Sequence, residues 1–174
     1  HTLHEVIDHF SGKNKYNALL DYLFQKKIRI IVHSKATLRQ IIKQANCEKE
    51  LVSIVPFGLF ETYKLFDDGL SIKEDGTDYI LFYGSIRPYK GLKILYEAVD
   101  ILKKDHPNLK FKVIIAGSGN IPELERLEND KTYVIKNKYI SNKEVVELNK
   151  LARIIVCPYL SASQSGIVMT TFLF

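Results

Sequence analysis

Short apolar runs alternate with segments of helical periodicity along this chain, and this alternation constrains the fold more than any other feature. The predicted strands are Arg29–Ser34, Leu51–Gly58, Tyr79–Tyr83, Lys110–Ala116, Thr132–Ile135 and Ile154–Cys157. Strands of a parallel sheet are buried on both faces, so their sequences are nearly continuous apolar runs. The sequence therefore predicts an α/β fold in which helices cover both faces of a parallel sheet.

Helices are predicted in the segments between these strands. They are expected after Ser34, from Pro88 to about Lys104, over Pro122–Glu128, after Ser141 and from Gly166 to Phe174. A proline in the first turn and a Ser-x-x-Glu capping box at 141–144 are helix-start signals. The residues expected to face the core share helical spacing, and they are Leu38, Ile41, Ile42, Ala45, Leu92, Leu95, Ala98, Val99, Leu102, Val145, Leu148 and Leu151.

The stretch from Phe60 to Thr77 breaks this alternation. It is mixed, charged and rich in Asp and Gly, as segments between domains often are. We therefore expect two parts of the chain, residues 1–65 and residues 66–174.

Composition excludes several function classes. Apolar residues make up 46% of the chain and charged residues 26%, which is typical of a soluble globular protein. The formal charge of +5 is spread along the sequence, so nucleic-acid binding is not indicated. Neither a signal peptide nor a run of about 20 apolar residues is apparent. Cys47 and Cys157 are isolated, and no His, Cys or Asp cluster has the spacing of metal ligands.

Three glycine-containing turns follow predicted strands. They are Gly84–Lys90, Gly117–Gly119 and Ser161–Gly166, and parallel strands bring such turns to one edge of the sheet. Glycines allow the backbone to approach a ligand, while Arg87 can hold two phosphate oxygens and Lys90 supplies a point charge. The pattern predicts a diphosphate site, although an ordinary turn with solvated cations fits the first segment as well.

The same segments resemble a known family. Phe82–Leu92, Val113–Gly119 and Val156–Gly166 are similar to the donor-nucleotide domain of family-4 retaining glycosyltransferases with the GT-B fold. Segments 2–5, 31–34 and 55–58 resemble the end of the acceptor domain and the crossover. The resemblance implies that residues 1–65 are the C-terminal part of a Rossmann-like acceptor domain, and that residues 66–174 are a donor domain incomplete at its C-terminus.

This resemblance implies an activity. The expected reaction transfers a sugar from a nucleotide-sugar donor, such as a UDP- or GDP-sugar, to a glycan or lipid-linked acceptor in cell-surface polysaccharide or lipopolysaccharide synthesis. It is expected to retain the anomeric configuration and to need neither a metal nor another cofactor. The expected location is cytoplasmic, at the inner face of the membrane if a missing N-terminal part makes peripheral contact. The fragment alone is expected to be inactive.

Individual residues follow from the resemblance. Lys90 occupies the position of the phosphate-binding lysine, whereas Ser85 replaces an arginine whose charge Arg87 is suggested to supply. His4 matches a position near the donor sugar, although it could equally be a structural histidine. The expected catalytic residues are thus His4, Arg87 and Lys90. The expected donor-binding residues are Gly84, Ser85, Arg87, Lys90, Gly117, Ser118, Gly119, Ser163, Gln164, Ser165, Gly166, Ile167, Val168 and Thr171.

Two departures keep other functions open. Two glutamates are usual in the family where this chain has Ser163 and Thr171, and their absence also fits a non-catalytic module that binds nucleotide-sugar or phosphate. A dinucleotide-dependent oxidoreductase is disfavoured, because the sequence after Gly117-Ser-Gly119 lacks the third glycine of the G-x-G-x-x-G motif.

Overall fold

The structure is a computed structural model that describes residues 2–3, 17–44, 48–69, 76–162 and 165–174. The chain divides into two compact units. The first comprises His1–Gly58 with Ser161–Ser165, and the second comprises Leu59–Leu160 with Gly166–Phe174. The predicted division into residues 1–65 and 66–174 stays a prediction about domains.

The first unit has a three-stranded parallel sheet in the order β1-β2-β3. Its strands are β1 (Thr2–Leu3), β2 (Ile30–Val32) and β3 (Val52–Ile54), and its helices are α1 (Asn17–Gln25) and α2 (Lys35–Gln44). A 3₁₀ turn covers Lys49–Leu51. The core residues come from both helices and from β2 and β3, and they are Leu20, Leu23, Phe24, Ile30, Val32, Ile41 and Val52.

Helix α2 begins as expected but faces the core differently. The Ser34 hydroxyl accepts a hydrogen bond from the Thr37 amide at 3.0 Å, which satisfies a free N–H group of the first turn. Thr37 and Ile41 are buried, whereas Ile42, which was expected to face inward, is 43% exposed. Ala45 lies outside the described residues.

The second unit contains the larger sheet. Its four parallel strands are β4 (Asp78–Tyr83), β5 (Phe111–Ala116), β6 (Tyr133–Lys136) and β7 (Ile154–Ile155), and their order is β6-β5-β4-β7. The helices are α3 (Leu92–Asp105), α4 (Leu124–Glu128), α5 (Asn142–Leu151) and α6 (Gly166–Thr171), and 3₁₀ turns cover Glu61–Phe66 and Pro88–Lys90. The predicted α/β fold with a parallel sheet is confirmed.

Both faces of this sheet are covered. Because successive strand residues point to opposite sides, each strand contributes side chains to both faces. On one side Phe82, Val113 and Ile115 pack with residues of α3 and α4. On the other side Leu81 and Ile114 belong to a cluster with residues of α5. A nearly continuous apolar sequence in β4 and β5 is the consequence of these two cores.

The start of α3 differs from the prediction. Pro88 opens a 3₁₀ turn, and the α-helix begins only at Leu92, because Gly91 has a left-handed backbone with φ 70°. A β-carbon on Gly91 would overlap the carbonyl oxygen of Pro158, so this position requires glycine. Farther along α3, Ala98 is exposed although it was expected to face inward, and Tyr96 is buried instead.

Two other elements are shorter than predicted, and the predicted start of α5 is confirmed. Strand β7 ends at Ile155, and α6 ends at Thr171. The capping box of α5 is present with both of its hydrogen bonds. Within the described ranges, no helix is long and apolar enough to cross a membrane.

Candidate functional site

The turns after β4 and β5 lie side by side at the carboxyl edge of the larger sheet. The Gly84 amide donates to the Ala116 carbonyl at 2.9 Å, and the Ile86 amide donates to the Ser118 carbonyl at 2.9 Å. Ile86 also forms a parallel bridge with Gly119. The hydrogen bonding of the sheet thus continues beyond the strands, and it fixes one turn against the other.

These turns approach each other so closely that one position excludes any side chain. Gly117 has φ 150°, and a β-carbon there would overlap the carbonyl oxygen of Gly84. An L-residue at this site would therefore meet both a steric clash and an unfavourable backbone angle. The shape of the first turn depends on a glycine in the second.

The beginning of α6 reaches the same place. A β-carbon on Gly84 would lie 2.7 Å from Ile167 Cδ1, so Ile167 packs directly on this turn. The Tyr83 hydroxyl donates to the Ile167 carbonyl at 3.3 Å. Burial raises the pKa of Tyr83 above its ordinary value of 10, so the hydroxyl stays a neutral donor at physiological pH. The last residue of β4 therefore ties α6 to the sheet edge.

Two threonines of α6 are engaged within the helix. The Thr170 hydroxyl donates to the Gly166 carbonyl at 3.0 Å, and the Thr171 hydroxyl donates to the Ile167 carbonyl at 2.9 Å. Thr171 is one of the two positions where the resemblance leads us to expect a glutamate. Its hydroxyl hydrogen is used inside the helix, so it offers a ligand at most an oxygen acceptor.

Arg87 and Lys90 lie on the connection between β4 and α3 but differ in their surroundings. Arg87 is exposed, has an extended backbone (φ −138°, ψ 150°) and directly follows the fully buried Ile86. Within the described part of the chain its guanidinium forms no ion pair. Lys90 is half-buried, and its Nζ lies 3.8 Å from the ring centroid of Tyr159 and 5.3 Å from that of Tyr89.

Tyr159 is a residue that the sequence analysis missed. The Leu160 amide donates to the Tyr89 carbonyl at 2.9 Å, which brings the segment after β7 against the Lys90 turn. The sequence signal that could have identified it is an aromatic residue directly after Cys157-Pro158, beyond the end of a predicted strand. Its pairing with a lysine far away in sequence required the strand order, in which β4 and β7 are neighbours.

The structure brings most of the expected donor-binding residues to this edge. Gly84, Ser85, Arg87 and Lys90 follow β4, and Gly117, Ser118 and Gly119 follow β5; Ser85 and Ser118 are exposed. Gly166, Ile167 and Val168 form the start of α6. Ser165 belongs to the first compact unit, and His4, Ser163 and Gln164 lie outside the described residues. Among the residues with described positions, no group of three His, Cys, Asp or Glu side chains could hold a metal ion.

Comparison with known families gives a match to a glycosyltransferase family. The sequence profile of a family described as glycosyl transferases group 1 matches residues 77–172, which is more than half of the chain. The match covers all four strands of the larger sheet and the turns described above. A comparison with curated protein sequences gives no match.

Several solved structures have a similar fold. A mutant of S. aureus TarM in complex with fondaparinux, α-GlcNAc-glycerol and UDP has 14% identity and a TM-score of 0.69, and the match covers 97% of this chain and 34% of TarM. WaaG, a glycosyltransferase involved in lipopolysaccharide biosynthesis, has 18% identity and a TM-score of 0.59 over 81% of this chain and 40% of WaaG.

Anabaena HepE in complex with UDP and glucose has 16% identity and a TM-score of 0.58, over 89% of this chain and 44% of HepE. Identities this low concern the fold alone. The chain spans about a third of the length of the TarM structures that it matches.

Proposed function

This chain belongs to the group 1 glycosyltransferase family and has the fold of part of a GT-B enzyme, and on that premise we propose that it transfers a sugar from a nucleotide-sugar to a glycan or lipid-linked acceptor. The transfer retains the anomeric configuration and requires no metal. Residues 1–65 contribute part of the acceptor domain in this proposal, and residues 66–174 bind the donor.

The single observation that carries the proposal is the convergence at the carboxyl edge of the larger sheet. The Gly84 turn, the Gly117 turn and the start of α6 are in direct contact there. Ligands of open parallel sheets bind beyond the carboxyl ends of the strands. The connection that carries Arg87 and Lys90 leaves the same edge, so it supplies positive charge where a diphosphate would bind.

The proposed chemistry is electrostatic. When the bond between the sugar and the nucleoside diphosphate breaks, negative charge develops on the leaving phosphate oxygen. Lys90, Arg87 and the backbone N–H groups of Gly166–Val168 stabilise that charge, and the oxygen needs no protein nucleophile to depart. Fixed donors of this kind act most strongly in the transition state, because the charge is largest there.

The relatives named above support a choice of donor and of cellular location for the proposed reaction. UDP is present in the TarM and HepE structures, so a UDP-sugar is the first donor to test. WaaG acts in lipopolysaccharide biosynthesis, which supports an acceptor in cell-surface polysaccharide or lipopolysaccharide assembly. Such assembly places the proposed reaction in the cytoplasm, at the inner face of the membrane. His4 is proposed to contact the donor sugar.

A second candidate is a non-catalytic module that binds nucleotide-sugars. It is supported by Thr171, whose hydroxyl is bonded to the Ile167 carbonyl at a position where the family usually has a glutamate. A panel of UDP-, GDP- and ADP-sugars offered to the full-length protein separates the two. Slow release of free sugar from a bound donor supports the enzyme, whereas binding without any turnover supports the module.

The direct test of the proposed function is Lys90→Ala in the full-length protein. Loss of one charge-stabilising donor reduces transfer by about 100-fold or more. Lys93→Ala is the matched control, since Lys93 lies on α3 and its Nζ is 3.8 Å from Glu97 Oε1. Transfer is measured with the best donor of the panel. Near wild-type transfer by Lys90→Ala would show that this lysine does not bind the diphosphate.

A further inference from the structure

We propose that Tyr159, assisted by Tyr89, is a positioning residue that holds the Lys90 ammonium group in place for the diphosphate. This inference rests on the proposed function, because it concerns the lysine that is assigned to the leaving group. It adds a residue that neither the family match nor the sequence pattern assigns.

The contact is short enough to fix the lysine. The Lys90 Nζ is 3.8 Å from the centroid of the Tyr159 ring, which is well inside the distance of about 6 Å at which cation–π attraction acts. The two other cation–π pairs of the described residues that involve different tyrosines are longer. They are Arg126 over Tyr96 at 5.5 Å and Lys26 over Tyr22 at 6.0 Å.

The backbone on both sides of this contact is held in place. The Leu160 amide donates to the Tyr89 carbonyl at 2.9 Å, which ties the residue after Tyr159 to the residue before Lys90. On the other side of Lys90, the left-handed Gly91 lets the chain pass next to the Pro158 carbonyl. The backbone segments that carry the ring and the lysine are therefore held next to each other.

A fixed ammonium group binds a phosphate better than a mobile one. Lysine loses more side-chain entropy than most residues when it is ordered, so a lysine already held by a ring loses less on binding. A ring face contacts the ammonium from one side and uses none of its N–H groups as a conventional donor. The ring contact therefore does not compete with a phosphate for these N–H groups.

The first experiment measures binding of inorganic pyrophosphate to the full-length protein by calorimetry. This probe reports on the diphosphate site without knowledge of the base or the sugar. Tyr159→Leu should weaken pyrophosphate binding about 10-fold, because the cation–π contact is lost. Tyr159→Phe keeps the ring and should stay within about twofold of wild type. Tyr22→Leu, which removes the ring beside Lys26, is the matched control.

The second step asks whether Tyr159 acts through Lys90. In a Lys90→Ala background, Tyr159→Leu should cause no further loss of pyrophosphate binding. An equal loss in both backgrounds indicates a general structural role and overturns the inference. If Lys90→Ala weakens binding but Tyr159→Leu does not, the positioning role is wrong and the proposed function stands. If Lys90→Ala leaves pyrophosphate binding intact, both the positioning role of Tyr159 and the assignment of Lys90 to the diphosphate are wrong.

A spectroscopic readout tests the contact without any ligand. Reductive methylation with ¹³C keeps the lysine charge, and a methyl group over an aromatic face shifts upfield. The Lys90 resonance, assigned by its loss in Lys90→Ala, should be shifted in wild type and in Tyr159→Phe but not in Tyr159→Leu. Should Tyr159→Leu fail to fold, Tyr159→Met takes its place. An unshifted Lys90 resonance in the wild-type protein overturns the inference.

Discussion

Two connections leave the same edge of the larger sheet, and they treat their charged residues differently. Between β6 and α5, the Glu144 carboxylate accepts from the Ser141 amide at 3.1 Å and from Lys138 Nζ at 2.7 Å. The Ser141 hydroxyl accepts from the Glu144 amide in return. On this connection, the charges of Lys138 and Glu144 are therefore paired with each other.

The connection between β4 and α3 has no such arrangement. Neither its 3₁₀ turn nor α3 has a side-chain cap, Arg87 makes no ion pair with the described residues, and Lys90 lies over tyrosine rings. Both connections carry two charged or polar groups near a helix start, so composition does not distinguish them. What distinguishes them is that Lys138 and Glu144 pair with each other within the β6–α5 connection, whereas Arg87 makes no ion pair with the described residues.

The largest expected effect tests whether the shape of the β4–α3 connection depends on its neighbour. Gly117→Ala places a β-carbon against the Gly84 carbonyl and should lower the free energy of unfolding by at least about 3 kcal/mol. Gly76→Ala is the matched control, because Gly76 has φ 75° but open space around it. It should cost only about 1 kcal/mol from backbone strain. Urea denaturation measures both, and equal losses would contradict the close approach.

The contrast between the connections also shows what the sequence could predict. Apolar runs in β4 and β5 predicted strands buried on both faces, and the Ser141–Glu144 spacing predicted the capping box; both predictions are confirmed. Each depends on residues that are close in the chain. The resemblance to a glycosyltransferase family is confirmed as well. The family profile matches residues 77–172, which contain the three turn segments on which the resemblance rests.

Predictions failed where a distant residue decides the local structure. The α-helix starts at Leu92 instead of Pro88, because Gly91 turns the chain past Pro158, a residue of the β7 end. Tyr159 was missed for the same reason, since its contact with Lys90 exists only when β7 lies beside β4. The roles of His4, Ser163 and Gln164 stay predictions, because these residues lie outside the described ranges.

An intermediate effect is expected when the cation of each connection is replaced by alanine. Arg87→Ala should weaken pyrophosphate binding to the full-length protein about 10-fold, because a charged hydrogen bond to the ligand is lost. The same variant should leave the free energy of unfolding nearly unchanged, since Arg87 is exposed. Lys138→Ala should lower the free energy of unfolding, because Lys138 pairs with Glu144, and it should leave pyrophosphate binding nearly unchanged. Calorimetry and urea denaturation are applied to both variants.

The comparison fails if the two variants behave alike. Loss of pyrophosphate binding in Lys138→Ala would place the β6–α5 connection in the anion site. A loss of stability without a loss of binding in Arg87→Ala would make Arg87 a structural residue.

The smallest expected effect is a pH dependence that arises in the β6–α5 connection. The hydrogen bond from Lys138 and those from Ser141 lower the pKa of Glu144 from 4.5 to about 2. A carboxylate whose pKa is lower in the folded state stabilises the fold above the unfolded pKa, and that contribution is lost as the pH falls towards the folded pKa. The stabilisation should therefore be complete above about pH 5 and disappear between pH 4.5 and about 2.

Glu144→Gln removes this titration, so its free energy of unfolding should fall less than that of wild type between pH 6 and pH 3. Urea denaturation at both pH values measures the difference, and Glu128→Gln at the exposed end of α4 controls for the loss of one charge. An unchanged pH dependence in Glu144→Gln would mean that the capping carboxylate is no better satisfied in the folded protein than in the unfolded chain. The contrast with the β4–α3 connection would then lose its electrostatic basis.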